Sequence, residues 1–187
     1  MNSVRFKLFL ILLIESVQLS SLGQQPIQPS RLGKAQKYLL EQIAKHGKVE
    51  SKTIGRAATY SEQYARFNAL AKISTESDII FFTTNRSPAV KIYAFQELLK
   101  RRQIYKALIA LQNNIQDTTA FLIQNGCIKS ANIVSKSMYS RLIDTIKKDG
   151  ATYSDQQKSM LAAIDQQLPS YSQIKKIVAR QIKDDEY

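Results

Sequence analysis

Apolar residues recur three and four positions apart through most of the chain beyond residue 30, the spacing that lines one face of a helix. Leu32, Ala35, Leu39, Leu40 and Ile43 give such a face to residues 31–46, with Ser30 placed to cap the start and Gly47 at the left-handed position past the end. Tyr64, Phe67, Leu70, Ala71 and Ile73 mark a second helix over 61–73. Thr75 then restarts a shorter one that carries Ile79, Ile80 and Phe82. After a polar turn, Ser87 stands at an N-cap position and Pro88 at the first helical one, where its missing N–H costs nothing. Val90, Ala94, Leu98 and Leu99 follow to about residue 101, and Ile104, Leu108 and Leu111 line a helix over 104–113.

Elsewhere the pattern is weaker. Residues 48–55 read as a loop, and 115–126 fit either a short helix or a loop. Ser130 is placed to open a longer helix whose stripe is Ile133, Val134, Met138, Leu142, Ile143 and Ile146, ending near Gly150. Ser154 with Gln157, and Ser170 with Gln173, have the spacing of capping boxes, and Pro169 separates those two helices. No alternating segment bounded by hairpin turns competes. The expectation is an all-α domain.

The first 23 residues follow a different grammar. Arg5 and Lys7 precede the apolar run Leu8 to Ile14, and Ser21 and Gly23 suit the small positions before a signal-peptidase cut. The run is too short to span a bilayer, which needs about 20 apolar residues. Three segments are therefore expected: a secretory signal over 1–23, a flexible polar leader over 24–30, and a single helical domain over 31–187. The protein would be periplasmic or secreted after cleavage near Gly23, the other reading being an uncleaved interfacial anchor.

The central segment carries a resemblance. Tyr64, Phe67 and Leu70, then Ile79-Ile80, then Ser87-Pro88-Ala89-Val90-Lys91 with Tyr93-Ala94-Phe95 and Leu98, followed by Asp117 and Gly126-Cys127, resemble HEAT-repeat proteins. More narrowly, they are similar to exported bacterial proteins with HEAT-like helix pairs. Pro88, Val90 and Lys91 match the start of a repeat's second helix, with lysine where arginine is commoner. The resemblance covers about 70 residues and implies a short right-handed stack of antiparallel helix pairs, an α-solenoid with a concave face and a protein-binding or structural role. It brings no catalytic residues.

Charge adds to that picture. The chain has 27 basic and 15 acidic residues, a net charge of +12. Residues 1–23 hold two of the bases and one of the acids, so the remainder still carries +11. An exported chain this basic meets anionic envelope polymers, lipid head groups or an acidic protein rather than nucleic acid; the same charge also serves plain solubility. Lys100-Arg101-Arg102 closes the helix after Pro88 and Lys106 follows, explained either by the helix dipole or by an anionic contact aided by Tyr93 and Tyr105. The candidate partner-binding residues are Lys91, Tyr93, Arg101, Arg102, Tyr105 and Lys106. Near the end, Lys175, Lys176, Arg180 and Lys183 alternate with Ile174, Ile177, Val178 and Ile182, which suits a membrane-surface helix or one packed on its neighbours.

Little points to catalysis. His46 is the only histidine, with no partner evident in its neighbourhood, and a position exposed at a helix end is expected for it. Cys127 is the only cysteine, so no internal disulfide can form, and a small buried role is expected. No Gly-rich phosphate loop is present. The expected function is a non-enzymatic binding or scaffold module of the cell envelope, without cofactor or metal, that uses a concave helical face and basic rim. The alternative is a peripheral factor that binds anionic polymer or lipid by charge.

Overall fold

The computed structural model describes residues 32–149 and 155–182. The signal segment, the leader, the Ser30 cap, the stop at Gly150, the Ser154 cap, Lys183 and the acidic residues 184–186 lie outside the described residues.

Eight helices are described: α1 Lys34–His46, α2 Glu62–Lys72, α3 Glu76–Phe82, α4 Pro88–Lys100, α5 Ile104–Asn113, α6 Val134–Asp149, α7 Asp155–Gln167 and α8 Tyr171–Gln181. Four strands accompany them: β1 Val49–Ile54, β2 Thr59–Tyr60, β3 Ala120–Gly126 and β4 Ile128–Ile133. They form one mixed sheet in the order β2-β1-β3-β4, with β1 and β3 parallel and both outer pairs antiparallel. The all-α expectation is therefore overturned, and with it the short solenoid stack. The fold is α/β.

Three segments carry that correction. Residues 49–54, expected as loop, are a strand whose side chains include β-branched Val49, Thr53 and Ile54. Residues 120–126, left between helix and loop, form the central strand β3. Ser130 lies inside β4, and the helix expected to start there begins at Val134.

β3 lacks alternation because both of its faces are covered. Phe121 and Ile123 pack into the main core, while Ala120 and Leu122 face a second cluster with Ile133, Ile174, Val178 and Ile182. A strand covered on both sides reads as a continuous apolar run. The apolar stripe of α8 is thus spent on the β3–β4 face of the sheet. Asn125 pairs with Ile128, which leaves Gly126 and Cys127 as a two-residue hairpin loop. Gly126 takes φ 57°, a left-handed conformation that glycine adopts without penalty. Cys127 sits at the exposed tip, contrary to the buried role expected of it.

The main core is organised around α4. Nine of its thirteen residues are buried, so it is covered on nearly every side, as expected of an interior helix. Pro88 occupies its first turn, although the Ser87 hydroxyl makes no capping bond and is buried without a partner. Around α4 lie α1, α2, α3, α5, α6 and two strands. In α1 the stripe shifts: Leu40 and Ile43 are buried, Ala35 is exposed, and Gln36 turns inward, donating to Ser74 Oγ at 3.1 Å and Asp78 Oδ2 at 3.2 Å. The capping boxes at Thr75 and Ser170 are formed. No helix among the described residues is long and apolar enough to cross a membrane.

Candidate anion-binding cleft

The C-terminal end of α4 builds one wall of the cleft. The Gln103 and Arg102 amides donate to the Leu98 and Leu99 carbonyls at 2.9 and 3.0 Å, which closes the helix as a Schellman turn. That turn requires a left-handed residue, and here it is Arg102 at φ 59° rather than glycine. Lys100 and Arg102 border a cleft of about 430 Å³ against α6. Four α6 residues supply the opposite wall: Arg141, Asp144, Thr145 and Lys148. Their spacing of three and four places them on one face of the helix. Met138 and Leu142, also on α6, are buried in the main core.

Among the described residues one carboxylate, Asp144, shares this space with four cations, of which Lys100 Nζ also lies 3.4 Å from Glu97 Oε2. Arg141 is the most enclosed of them. Its Nε donates to Ser137 Oγ at 3.3 Å, and no ion pair joins it to a carboxylate among the described residues. Burial pulls its guanidinium below its ordinary value, opposed by Tyr93 and Asp144 acting through space. A desolvated cation without a paired anion is costly, and an oxyanion entering the cleft would relieve that cost. The lining offers cations, amide and hydroxyl donors, and the apolar side of Leu99. It can hold an anion.

Other clefts are more mixed. One between β4, α6 and the α7–α8 corner combines Lys136 with Asp165, and one beside α8 sets Lys176 and Arg180 among glutamines.

The six residues singled out from the sequence do not form one rim. Lys91 is directed inward, its Nζ 2.5 Å from Asp117 Oδ2 and 2.9 Å from Asn114 Oδ1. Tyr93 is 1% exposed, stacked on Phe67 with ring centroids 4.8 Å apart. Its hydroxyl accepts the Glu50 N–H at 2.7 Å and donates to the Glu50 carbonyl at 3.0 Å. Arg101 donates to Glu97 Oε1 and to the Ala71 carbonyl, both at 2.8 Å, and so staples α4 to α2. Lys106 pairs with Glu76. Tyr105 is exposed at 63%. Of the six, Arg102 alone lines the cleft.

His46 has a partner. Its Nε2 lies 2.8 Å from Glu50 Oε1, and Glu50 Oε2 accepts the Ser61 hydroxyl at 2.6 Å. The carboxylate stands between the imidazole and the hydroxyl, so no His-to-Ser proton path exists in this arrangement. Ser61 Oγ also accepts the Tyr64 amide at 2.9 Å as the cap of α2. The trio joins α1, β1 and α2.

Sequence reasoning named Lys100 and Arg102 but missed Arg141 and Lys148. The only available signal was the polar face of α6 opposite Met138 and Leu142, which looks like any solvated helix face. Its convergence with the end of α4 is tertiary. Together, fold and cleft define a mixed α/β domain with a cationic pocket at one helix end. No protein-family model, curated protein or solved structure matches the chain.

Proposed function

We propose that this protein is a non-enzymatic binding module of the cell envelope that holds an anionic partner by charge at the α4–α6 cleft. Export is part of the proposal and rests on the residue pattern before Gln24. The reading is carried by one observation: Lys100, Arg102, Arg141 and Lys148 converge on one cleft whose lining, among the described residues, includes one carboxylate, Asp144. The net charge of +12 supports it by raising the local concentration of anions around the whole molecule. Binding of this kind is steered electrostatically and weakens with salt.

The test uses full-length protein with labelled dextran sulfate and, as control, unsulfated dextran. The double reversal of Lys100 and Lys148 to Glu should weaken sulfated-polymer binding at least tenfold. Reversing Lys52 and Lys129, two exposed lysines of the sheet, should change it less than twofold. Equal losses from both pairs would leave only diffuse charge and sink the cleft as the binding site.

A further inference from the structure

The α4–α6 cleft has features that a generic basic patch does not need. Arg141, the most enclosed of its four cations, offers a planar fork of donors where a lysine would offer a point charge. The Arg141 guanidinium is held by the Ser137 hydroxyl at Nε, and neither Nη group has a hydrogen-bond partner among the described residues. A fork held this way matches two oxygens of one group. Lys100, Arg102 and Lys148 border the same space, and Thr145 and Gln96 add neutral donors. A carboxylate has two oxygens and one negative charge, too few to satisfy such a set. A phosphoryl group has three terminal oxygens and up to two charges. The volume of about 430 Å³ is larger than one phosphoryl group requires, and Leu99 gives an apolar contact for whatever the group is attached to.

Arg102 takes the left-handed position of the Schellman turn. A non-glycine residue in the left-handed region carries a conformational cost, and glycine is the usual choice at this point of a Schellman turn. The chain keeps arginine there, on the lip of the same cleft.

We infer that the cleft is a phosphoryl-group site in which the Arg141 guanidinium holds two phosphoryl oxygens and Lys100, Arg102 and Lys148 neutralise the remaining charge. The inference rests on the anion-binding reading above and narrows it to a ligand class, an organic phosphomonoester. The same group is presented by a soluble phosphomonoester or by the head group of phosphatidic acid, and the experiment separates these sources.

Full-length protein is titrated by calorimetry with glycerol 3-phosphate and with succinate, which matches it in charge but offers only carboxylates. Co-sedimentation with vesicles containing phosphatidic acid, and with phosphatidylcholine vesicles as control, runs in parallel. Glycerol 3-phosphate, phosphatidic acid vesicles or both should bind, with succinate at least tenfold weaker than the soluble phosphoester or not detectably bound. Arg141→Lys, which keeps the charge and loses the fork, should weaken phosphoryl binding at least tenfold with an unchanged circular dichroism spectrum. Lys148→Gln, on the exposed lip, should weaken it a few fold and guards against a folding defect in the first variant. Binding confined to phosphatidic acid vesicles assigns the group to a lipid, and binding of glycerol 3-phosphate assigns a soluble phosphoester. Succinate binding as tightly as glycerol 3-phosphate, or Arg141→Lys binding like the parent, would overturn the phosphoryl assignment while leaving an anion site. Absence of binding to every anionic probe would remove the anion site itself.

Discussion

Lys91 Nζ lies 2.5 Å from Asp117 Oδ2, and this pair ties the start of α4 to the segment that leads from α5 into the sheet. Both side chains are mostly buried, at 15% and 16% exposure. Asn114 completes the join by accepting from Lys91 and donating to the Thr83 and Ala110 carbonyls at 3.1 and 2.8 Å. Asp117 also receives the Thr119 amide at 3.0 Å, just before β3 begins.

That geometry sets an acid limb of stability. Burial pushes the Asp117 carboxyl up, but hydrogen bonds from Lys91 and Thr119 outweigh it and hold the group below 3.8. The unfolded chain takes up its proton at the ordinary value, so the stabilising contribution is complete above 3.8 and is lost as pH falls through the lower folded value. Asp78 acts in the same direction: burial raises it, and Thr75 and Gln36 more than compensate. The urea midpoint should fall below about pH 4, and Asp117→Asn should flatten part of that limb. At neutral pH, Lys91→Met should cost about 2 kcal/mol, because it leaves a mostly buried carboxylate unpaired. An acid limb identical in the Asp117→Asn variant would count against this account.

Tyr93→Phe tests the link between α4 and the sheet. The lost hydroxyl leaves the buried Glu50 N–H and carbonyl without their partner while the stacking on Phe67 remains. The expected cost is about 2 kcal/mol, a drop of roughly 6 °C in Tm for a domain of this size. A loss of 1 °C or less by calorimetry would show that β1 rearranges to satisfy those groups.

Val178→Asp should release α8 without dissolving the main core. Val178 packs with Ile174, Ile182 and Ile133 in a cluster separate from the one around α4. Hydrogen exchange should accelerate at least tenfold in α8 and the outer half of the β3–β4 hairpin, with α4 amides still protected. Uniform acceleration across the chain would mean that the two clusters unfold as one.

Arg102→Gly separates stability from ligand capture. Glycine removes the cost of a left-handed arginine, so Tm should hold or rise, while affinity for glycerol 3-phosphate falls. A lower Tm with unchanged affinity would make Arg102 a structural residue of the turn.

Cys127 offers a direct check of the hairpin. At the exposed tip between β3 and β4, its thiol should react with a small disulfide reagent in the native protein within a few fold of its rate in denaturant. Protection by a hundredfold or more would place the tip against another surface.

Helices were legible because their signals are local. The Pro88 start, the Thr75 start, the Ser170 capping box and the stripe of α5 each lie within a few residues and appear where expected. The sheet was not, for reasons specific to its strands. In β1, Val49 and Glu50 are adjacent yet both buried, the second because His46 and Ser61 satisfy its carboxylate, so a period of two never shows. In β3, two covered faces erase the alternation. The Gly126-Cys127 turn is short and local, but its meaning as a hairpin signal depends on recognising the strands beside it. The cleft divides the same way. Lys100 to Arg102 is a visible cluster, whereas Arg141 and Lys148 acquire their meaning only when α6 is laid against α4.

The parallel pairing of β1 with β3 also governs when the chain can finish folding. Val49 meets Ile123, so the middle of the sheet cannot close until roughly 70 further residues exist. On a growing chain, the early helices would gather while β1 and β2 wait as an incomplete hairpin edge, and the C-terminal third would lock them in place. Such an order of events keeps a nascent chain loose for longer than an all-helical one of equal length.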